Sequence, residues 1–499
     1  MTDTPSLMSS IEKGLEEAPA TSTSIAAKMD CLDVVVCEEP RAEHEAAMQL
    51  DNDTCPLKYS KRKKWTITTV ACVFTLLVSA ATTSYTMGYQ SMMKDLNCTS
   101  SQAVIGLTTY VVAFGVTPLF TSAFSEEFGR QPMYWVSVIV FLAMYVMVAL
   151  APNIAVVAVA RVIQGAAGST GSTMVAGTIA DIWEAKDRGI PMAIYSITAF
   201  GGTGVGTIAA GWIEANPKLG WKWIQWISLI IAGCYTVVFA FTMRETRASV
   251  LRAKMIKKRG LSPSDLGSEE TVTGQEKQKF RDLLWVSLTR PLEPIVFAVS
   301  AWLAFAWGIF YCMIGSMPSV FREVHGFSIG QVGTVNVTMV IAVIIGFFTT
   351  ILQERIYKKK IGKRSVEARL YLCCIAGIAF PASMFMIAWF CQPQIHWALL
   401  CFALTIYYWS TFTIYLAVFT YLADCYTIYA SSALAGQSLL RNVLGGVFPL
   451  FTLKVSDKLG FTWANTLYAC LAVLSAPVPI TVFFLGRRIR QRSERCIHD

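Results

Sequence analysis

Charge is scarce in this chain: Asp, Glu, Lys and Arg together make up 15% of its 499 residues, against 54% hydrophobic. Mean hydropathy reaches +0.49, too apolar for a water-soluble protein of this length. The shortage of charge excludes an ordinary soluble enzyme and makes lipid the solvent for most of the fold. Histidine is scarcer still. His44, His325, His396 and His498 are scattered, and there is neither a phosphate-cradling glycine loop nor a strained serine elbow. No nucleophile and base converge, and an enzyme is not expected. The 14 cysteines fall mostly inside apolar runs, without metal-ligand spacing or an extracellular framework. They read as small packing residues, and neither a metal nor another cofactor is called for.

Acids are missing where a cationic cargo would need them. The apolar runs 65–89, 103–124, 190–212 and 331–352 carry no Asp or Glu in their central portions. No carboxylate stands there to pair with a polyamine, which favours a neutral or anionic cargo. Glu293 lies near the inner end of the run 292–316, and Asp181 and Asp424 lie at the inner ends of theirs, positions suited to gates or helix ends. The N-terminal stretch lacks the basic start and short apolar core of a secretory signal. Residues 1–60, rich in Ser, Thr, Ala and Glu and without helical period, are expected to form a disordered cytoplasmic tail.

What the chain has in abundance is apolar runs, about twelve of them, each near the ~20 residues a bilayer-crossing helix needs. Two charged connectors, Ser125–Gln131 after the run 103–124 and Gln353–Leu370 after the run 331–352, hold comparable places in two related halves. The expected fold is an all-α polytopic membrane protein with about twelve transmembrane helices. A six-helix bundle over 61–243, a basic central loop over 244–290, a second six-helix bundle over 291–486 and a tail over 487–499 make up its parts. Pro132 suits the first position of the third helix.

A net charge of +9 does not point to nucleic acid, because the basic residues cluster beside apolar runs. Lys61-Arg62-Lys63-Lys64 precedes the first run, and the connectors assigned to the cytoplasm hold Arg130, Lys186, Arg188, Arg355, Lys358, Lys359, Lys360, Lys363 and Arg364. The outer connectors hold few basic residues. By the positive-inside rule both termini are cytoplasmic. Asn97-Cys98-Thr99, in an outer connector, is an acceptor pattern for N-glycosylation.

Ionisable groups inside the apolar runs are costly and therefore candidates for function. Arg161 lies in the run 154–183 and Arg441 in the run 429–451. Each is expected to face the interior, either tying helices together through backbone carbonyls or attracting an anion or serving a proton-linked switch. The run 190–212 holds Gly201, Gly202, Gly204, Gly206 and Gly211, poor for an isolated helix but suited to a bending, closely packed interface in lipid. Trp302, Trp307, Tyr311, Tyr407, Tyr408, Trp409 and Tyr415 are candidates for lining an apolar cavity, with packing and interfacial anchoring as the alternatives.

These residues also match a pattern. Ser125-Glu126-Glu127-Phe128-Gly129-Arg130-Gln131-Pro132 resembles the loop between helices two and three of the major facilitator superfamily, and Arg161-Val162-Ile163-Gln164-Gly165 resembles its helix-four signature. Tyr421-Leu422-Ala423-Asp424 and Phe448-Pro449-Leu450-Phe451 are similar to patterns of the twelve-helix fungal drug:proton antiporters. The resemblance implies alternating access driven by a proton gradient, with two bundles rocking about a central site. It implies an inner gate at Glu126, Gly129 and Arg130, a proton-linked switch at Arg161 and a hinge at the glycines 201–206. Glu127 and Gln131 depart from the basic residues usual in that loop, and the glycine-rich run lacks the proline usual in the antiporter motif. The expected function is proton-coupled export of a small organic acid or secondary metabolite from a fungal-type cell across the plasma membrane, by a monomer embedded in the lipid bilayer. Broad drug efflux, polyamine transport and a transporter-like nutrient sensor are the alternatives. Arg161, Arg441 and Glu293 are the candidates for coupling or substrate binding.

Overall fold

A computed structural model describes residues 56–184, 187–247, 250–252, 254, 294–425 and 430–491. The expected N-terminal tail through residue 55, most of the basic central loop, Glu293 and the end of the chain after residue 491 lie outside the described residues. No strand occurs among the described residues. That follows from the solvent: apolar runs in lipid have no water to satisfy backbone groups, so each satisfies its own as a helix.

The helices are α1 (Lys61–Met87), α2 (Tyr89–Asp95), α3 (Ser100–Val116), α4 (Pro118–Phe128), α5 (Arg130–Ala149), α6 (Ile154–Ile182), α7 (Gly189–Ala215) and α8 (Gly220–Thr242). After the central loop come α9 (Pro294–Glu323), α10 (Ile329–Val335), α11 (Val337–Arg364), α12 (Tyr371–Phe390), α13 (Trp397–Cys425), α14 (Ala430–Ser475) and α15 (Pro477–Gln491). Local sequence signals set several starts. Thr99 and Gln102 form a reciprocal capping box on α3, Ser328 and Gln331 form another on α10, and Asn153 accepts the Val156 N–H at 3.0 Å to cap α6.

Two connectors are shorter than the sequence suggests. The charged turn expected over Ser125–Gln131 narrows to Gly129 alone, with φ 92° and ψ 170°, between the end of α4 and the start of α5. Pro132 is therefore the third residue of α5 rather than its first. The connector 353–370 is helical through Arg364 and then forms a 3-10 turn over Ser365–Leu370, because its lysines and arginines are good helix formers. In α14 the chain breaks at Gly460, φ 75° and ψ 162°, which separates two helices.

Among the described residues, eleven helices are long and apolar enough to cross a membrane, against the expected twelve or so. The first part of α14, before Gly460, is the less apolar stretch. It carries Gln437, Arg441 and Asn442, all buried against protein.

Helices from the two ends of the chain meet at small residues. A Cβ on Gly211 of α7 would lie 2.7 Å from the Cα of Gly333 in α10, and a Cβ on Gly115 of α3 would lie 2.6 Å from Asn442 Cβ in α14. The Thr108 hydroxyl of α3 donates to the Gly446 carbonyl at 2.8 Å. The approach of α7 to α10 lies in the half of the fold remote from Gly129. Within the run 201–206, Gly202 and Gly206 face α1, where Cβ atoms would come to 2.7 Å from the Leu76 carbonyl and 2.5 Å from Ala80 Cα. Gly204 faces Asn336 at 3.2 Å, while Gly201 has nothing nearer than Val343 at 3.9 Å. The glycine-rich run is thus a two-sided interface.

Candidate functional site

At the Gly129 end, the first cluster is organised by a residue that sequence reading assigned only to the central loop. Glu245, just past α8, is buried, and its carboxylate accepts four backbone N–H groups. Those of Arg130, Thr246 and Arg247 donate to Oε1 at 3.0, 3.0 and 2.9 Å, and that of Gln131 donates to Oε2 at 3.1 Å. The first amides of a helix lack intrahelical partners and carry partial positive charge. Glu245 therefore caps α5 from 115 residues away. The Arg130 side chain turns the other way: its Nε–H donates to Asp181 Oδ2 and its Nη2–H to Oδ1 at 3.4 Å, holding the end of α6. Glu126 lies in the last turn of α4.

A second cluster repeats the chemistry in the later half. Arg369 Nε–H donates to Asp424 Oδ2 at 2.6 Å, its Nη1 pairs with Glu354, and the Tyr357 hydroxyl donates to Asp424 Oδ2 at 3.1 Å. Its guanidinium carbon lies 3.9 Å from the Tyr357 ring centroid. Asp181 and Asp424 were expected at helix ends. Their arginine partners were legible only as charges in connectors that correspond between halves.

Deeper in, Arg161 is wholly buried. Its Nη1 donates to the Ala81 carbonyl and to Gln164 Oε1, each at 3.0 Å. Nη2 donates to the Thr82 carbonyl at 3.3 Å, and Nε to the Gly106 carbonyl at 3.3 Å. The rings of Tyr110 and Tyr85 flank it, with centroids 4.2 and 4.6 Å from the guanidinium carbon. A buried charge is tolerated when its donors are satisfied. Here carbonyls of α1 and α3 do so, tying both helices to α6.

Arg441 of α14 is placed differently. Trp307 of α9 and Tyr415 of α13 lie beside it, at 4.5 and 5.1 Å from ring centroid to guanidinium carbon, and among the described residues its one hydrogen bond is a long one from Nη2 to Ser438 Oγ at 3.5 Å. The Nε of Arg441, the Nε1 of Trp307 and the Nε2 of Gln437 are buried without a hydrogen-bond partner. Tyr311 packs edge-on to Trp307 at 6.3 Å, and Phe200 of α7 closes over the group, 5.6 Å from Trp307 and 4.9 Å from Phe310. Of the seven aromatics singled out from sequence, Trp307, Tyr311 and Tyr415 gather here. Tyr407 instead stacks on Phe380 at 5.5 Å, and Trp409 donates to Thr349 at 3.2 Å. Arg161 and Arg441 do not bond to each other, and each sits among its own aromatic neighbours.

Two internal cavities, one beside Tyr89, Leu107 and Cys312 and the other beside Met317, Asn336 and Tyr408, hold about 10 Å³ each. Neither accommodates a metabolite. Asn97 lies between α2 and α3 with φ 47°, and the hydroxyl of Thr99 is taken up by the α3 cap.

The model for the Major Facilitator Superfamily matches residues 69–440. A similar relative is the MFS-type efflux pump MFS2 of Trichophyton rubrum, 31% identical over 448 residues, covering 88% of this chain and 75% of that protein. Another is the major facilitator superfamily multidrug transporter mdrA of Aspergillus fumigatus, 30% identical over 448 residues, 88% of this chain and 74% of that one. Among solved structures, a D-xylose-proton symporter superposes with TM-score 0.61 at 16% identity, covering 83% of this chain and 97% of that one. A bacterial homologue of the lysosomal transporter Spinster gives 0.58 at 15% identity, covering 87% and 99%. All-helical, multi-pass and matched across most of its spanning region, the chain belongs to the Major Facilitator Superfamily, with fungal efflux pumps and multidrug transporters among its relatives.

Proposed function

We propose that this chain is a secondary active exporter, driven by proton entry, that moves a small organic acid or secondary metabolite out of the cell by alternating access. The observation that carries the cargo preference is Arg441. It is a buried guanidinium beside Trp307 and Tyr415, with no carboxylate bound to it among the described residues. A cavity built around such a group repels polyamines and attracts anions. Relatives named efflux pumps support the direction of transport.

In this reading the Gly129 end faces the cytoplasm, as the basic connectors suggest. The tight approach of Gly211 to Gly333 then closes the outward side. The Arg130–Asp181 and Arg369–Asp424 pairs, with Glu126 and Gly129 nearby in the chain, work as latches of the inner gate. The glycines at 201, 202, 204 and 206 let α7 move against α1 and α10, and Arg161 couples proton movement to that motion.

Substrate-driven proton flux in proteoliposomes tests the proposal: carboxylates should acidify or alkalinise the lumen in proportion to their gradient, and spermidine should not. Flux with spermidine and none with carboxylates would overturn it. The names of several relatives favour a second reading, broad multidrug efflux. Comparing medium and cell extracts from strains with the chain, without it and with Arg441→Ala separates the two. One acid lost from the medium and retained in cells supports the exporter, whereas unchanged profiles with reduced drug resistance support multidrug efflux.

A further inference from the structure

We propose that Arg441, Gln437 and Trp307 form the recognition point for the acidic oxygens of a flat, aromatic monoanion. The inference rests on the transport reading above and deepens it. Three buried N–H donors meet no acceptor: Arg441 Nε, Gln437 Nε2 and Trp307 Nε1. Their residues are nine-tenths buried or more, at 9%, 2% and 8% exposure. Orphaned buried donors are rare because each forfeits its hydration without recompense, and three in one neighbourhood ask for an acceptor from outside the chain. Gln437 and Arg441 lie one turn apart on α14 and so share a face.

The shape of the ligand follows from what the guanidinium already does. Trp307 and Tyr415 lie on one side of it, their ring centroids 5.4 Å apart, and its Nε–H is left without a partner. An edge with adjacent N–H groups suits a carboxylate, which accepts from both at once. The residues packed about the guanidinium are largely aromatic. Trp307 and Phe310 stack at 5.0 Å, Tyr311 stands edge-on to both, and Phe200 tilts against Phe310 at 4.9 Å. Flat apolar bodies pack well against such walls. Phe200 belongs to α7, Trp307, Phe310 and Tyr311 to α9, and Tyr415 to α13, so withdrawal of α7 beside loosely packed Gly201 uncovers the recognition point.

Calorimetry on the full-length protein in lipid nanodiscs, titrated with 2-naphthoate and its neutral isostere 2-naphthamide, tests the inference. The carboxylate should bind at least about tenfold more tightly, the scale of one charge-assisted hydrogen bond. Arg441→Gln should abolish the preference, Arg441→Lys should keep part of it, and Gln437→Leu should weaken naphthoate alone. Equal affinity of the wild-type protein for both probes, no binding of either, or a preference that survives Arg441→Gln would overturn the site. The wild-type comparison decides the matter even if Arg441→Gln does not fold. Proteoliposome flux separates the two claims: proton-linked movement of 2-naphthamide without a naphthoate preference leaves transport standing and removes the anion site. Arg441-dependent naphthoate binding with no flux of any probe removes transport and keeps the site.

Discussion

Glu245 lies against Gly129 so closely that a Cβ at Gly129 would sit 2.5 Å from its Oε2. The same glycine holds φ at 92°, a region side-chain-bearing residues avoid. Gly129→Ala therefore combines backbone strain with a displaced cap, and a loss on the order of 1–3 kcal/mol is expected. Glu245→Ala should lower the melting temperature of the purified protein by a comparable amount. Both changes together should cost less than their sum, because each disrupts the same start of α5. Additive losses would mean that Glu245 caps nothing.

Arg130 and Asp181 should behave as a coupled pair. Each is largely buried, with side chains 10% and 17% exposed. A double-mutant cycle with Arg130→Ala and Asp181→Ala is expected to give a coupling of about 1–3 kcal/mol. Arg130→Lys should not restore it, since an ammonium cannot reproduce the two-point contact. Arg369 with Asp424 should show the same behaviour. If the pairs latch a gate, breaking either should also raise the rate of substrate exchange more than it lowers stability.

The glycine-rich part of α7 is expected to discriminate sharply between neighbours. Gly206→Ala drives a Cβ to 2.5 Å from backbone atoms of Ala80, whereas Gly201→Ala meets nothing nearer than 3.9 Å. The first should reduce the yield of folded protein and abolish transport. The second should leave yield unchanged, so any loss of flux in Gly201→Ala reports on motion rather than packing.

Cys98 offers a test of orientation. It lies between α2 and α3, partly exposed, and burial pushes its thiol above the ordinary range. A thiolate is the reactive form, so labelling by a membrane-impermeant maleimide should be slow at neutral pH and rise as pH climbs past the usual thiol range. In intact cells the label should reach Cys98 if the end remote from Gly129 faces outward, and Cys98→Ser should remove the signal. Labelling only after the cells are permeabilised would reverse the orientation.

Much of the architecture was legible in advance. The length of each apolar run measures a bilayer thickness whatever its neighbours are, and the eleven spans among the described residues follow apolar runs for that reason, while the run 429–451 is not one of them. Arg161 and Arg441 were recognisable because a guanidinium inside such a run has to turn inward. Their environments were not recognisable: that carbonyls satisfy Arg161 while Arg441 keeps unbonded donors depends on where α1, α3, α9 and α13 pass.

The connectors carry the same lesson. Sequence by itself established a charged turn after the run 103–124, since charge so close to lipid belongs at the surface. Only the tertiary structure narrowed it to Gly129, because the acceptor that lets α5 begin at Arg130 is contributed by Glu245, 115 residues away. Likewise Asp424 announced a helix end, but Arg369, Glu354 and Tyr357 became its neighbours only when α11, α12 and α13 packed. Sequence thus determined the elements, through local hydropathy and backbone hydrogen bonding. The tertiary structure decided the partners, through contacts between residues that no local pattern links.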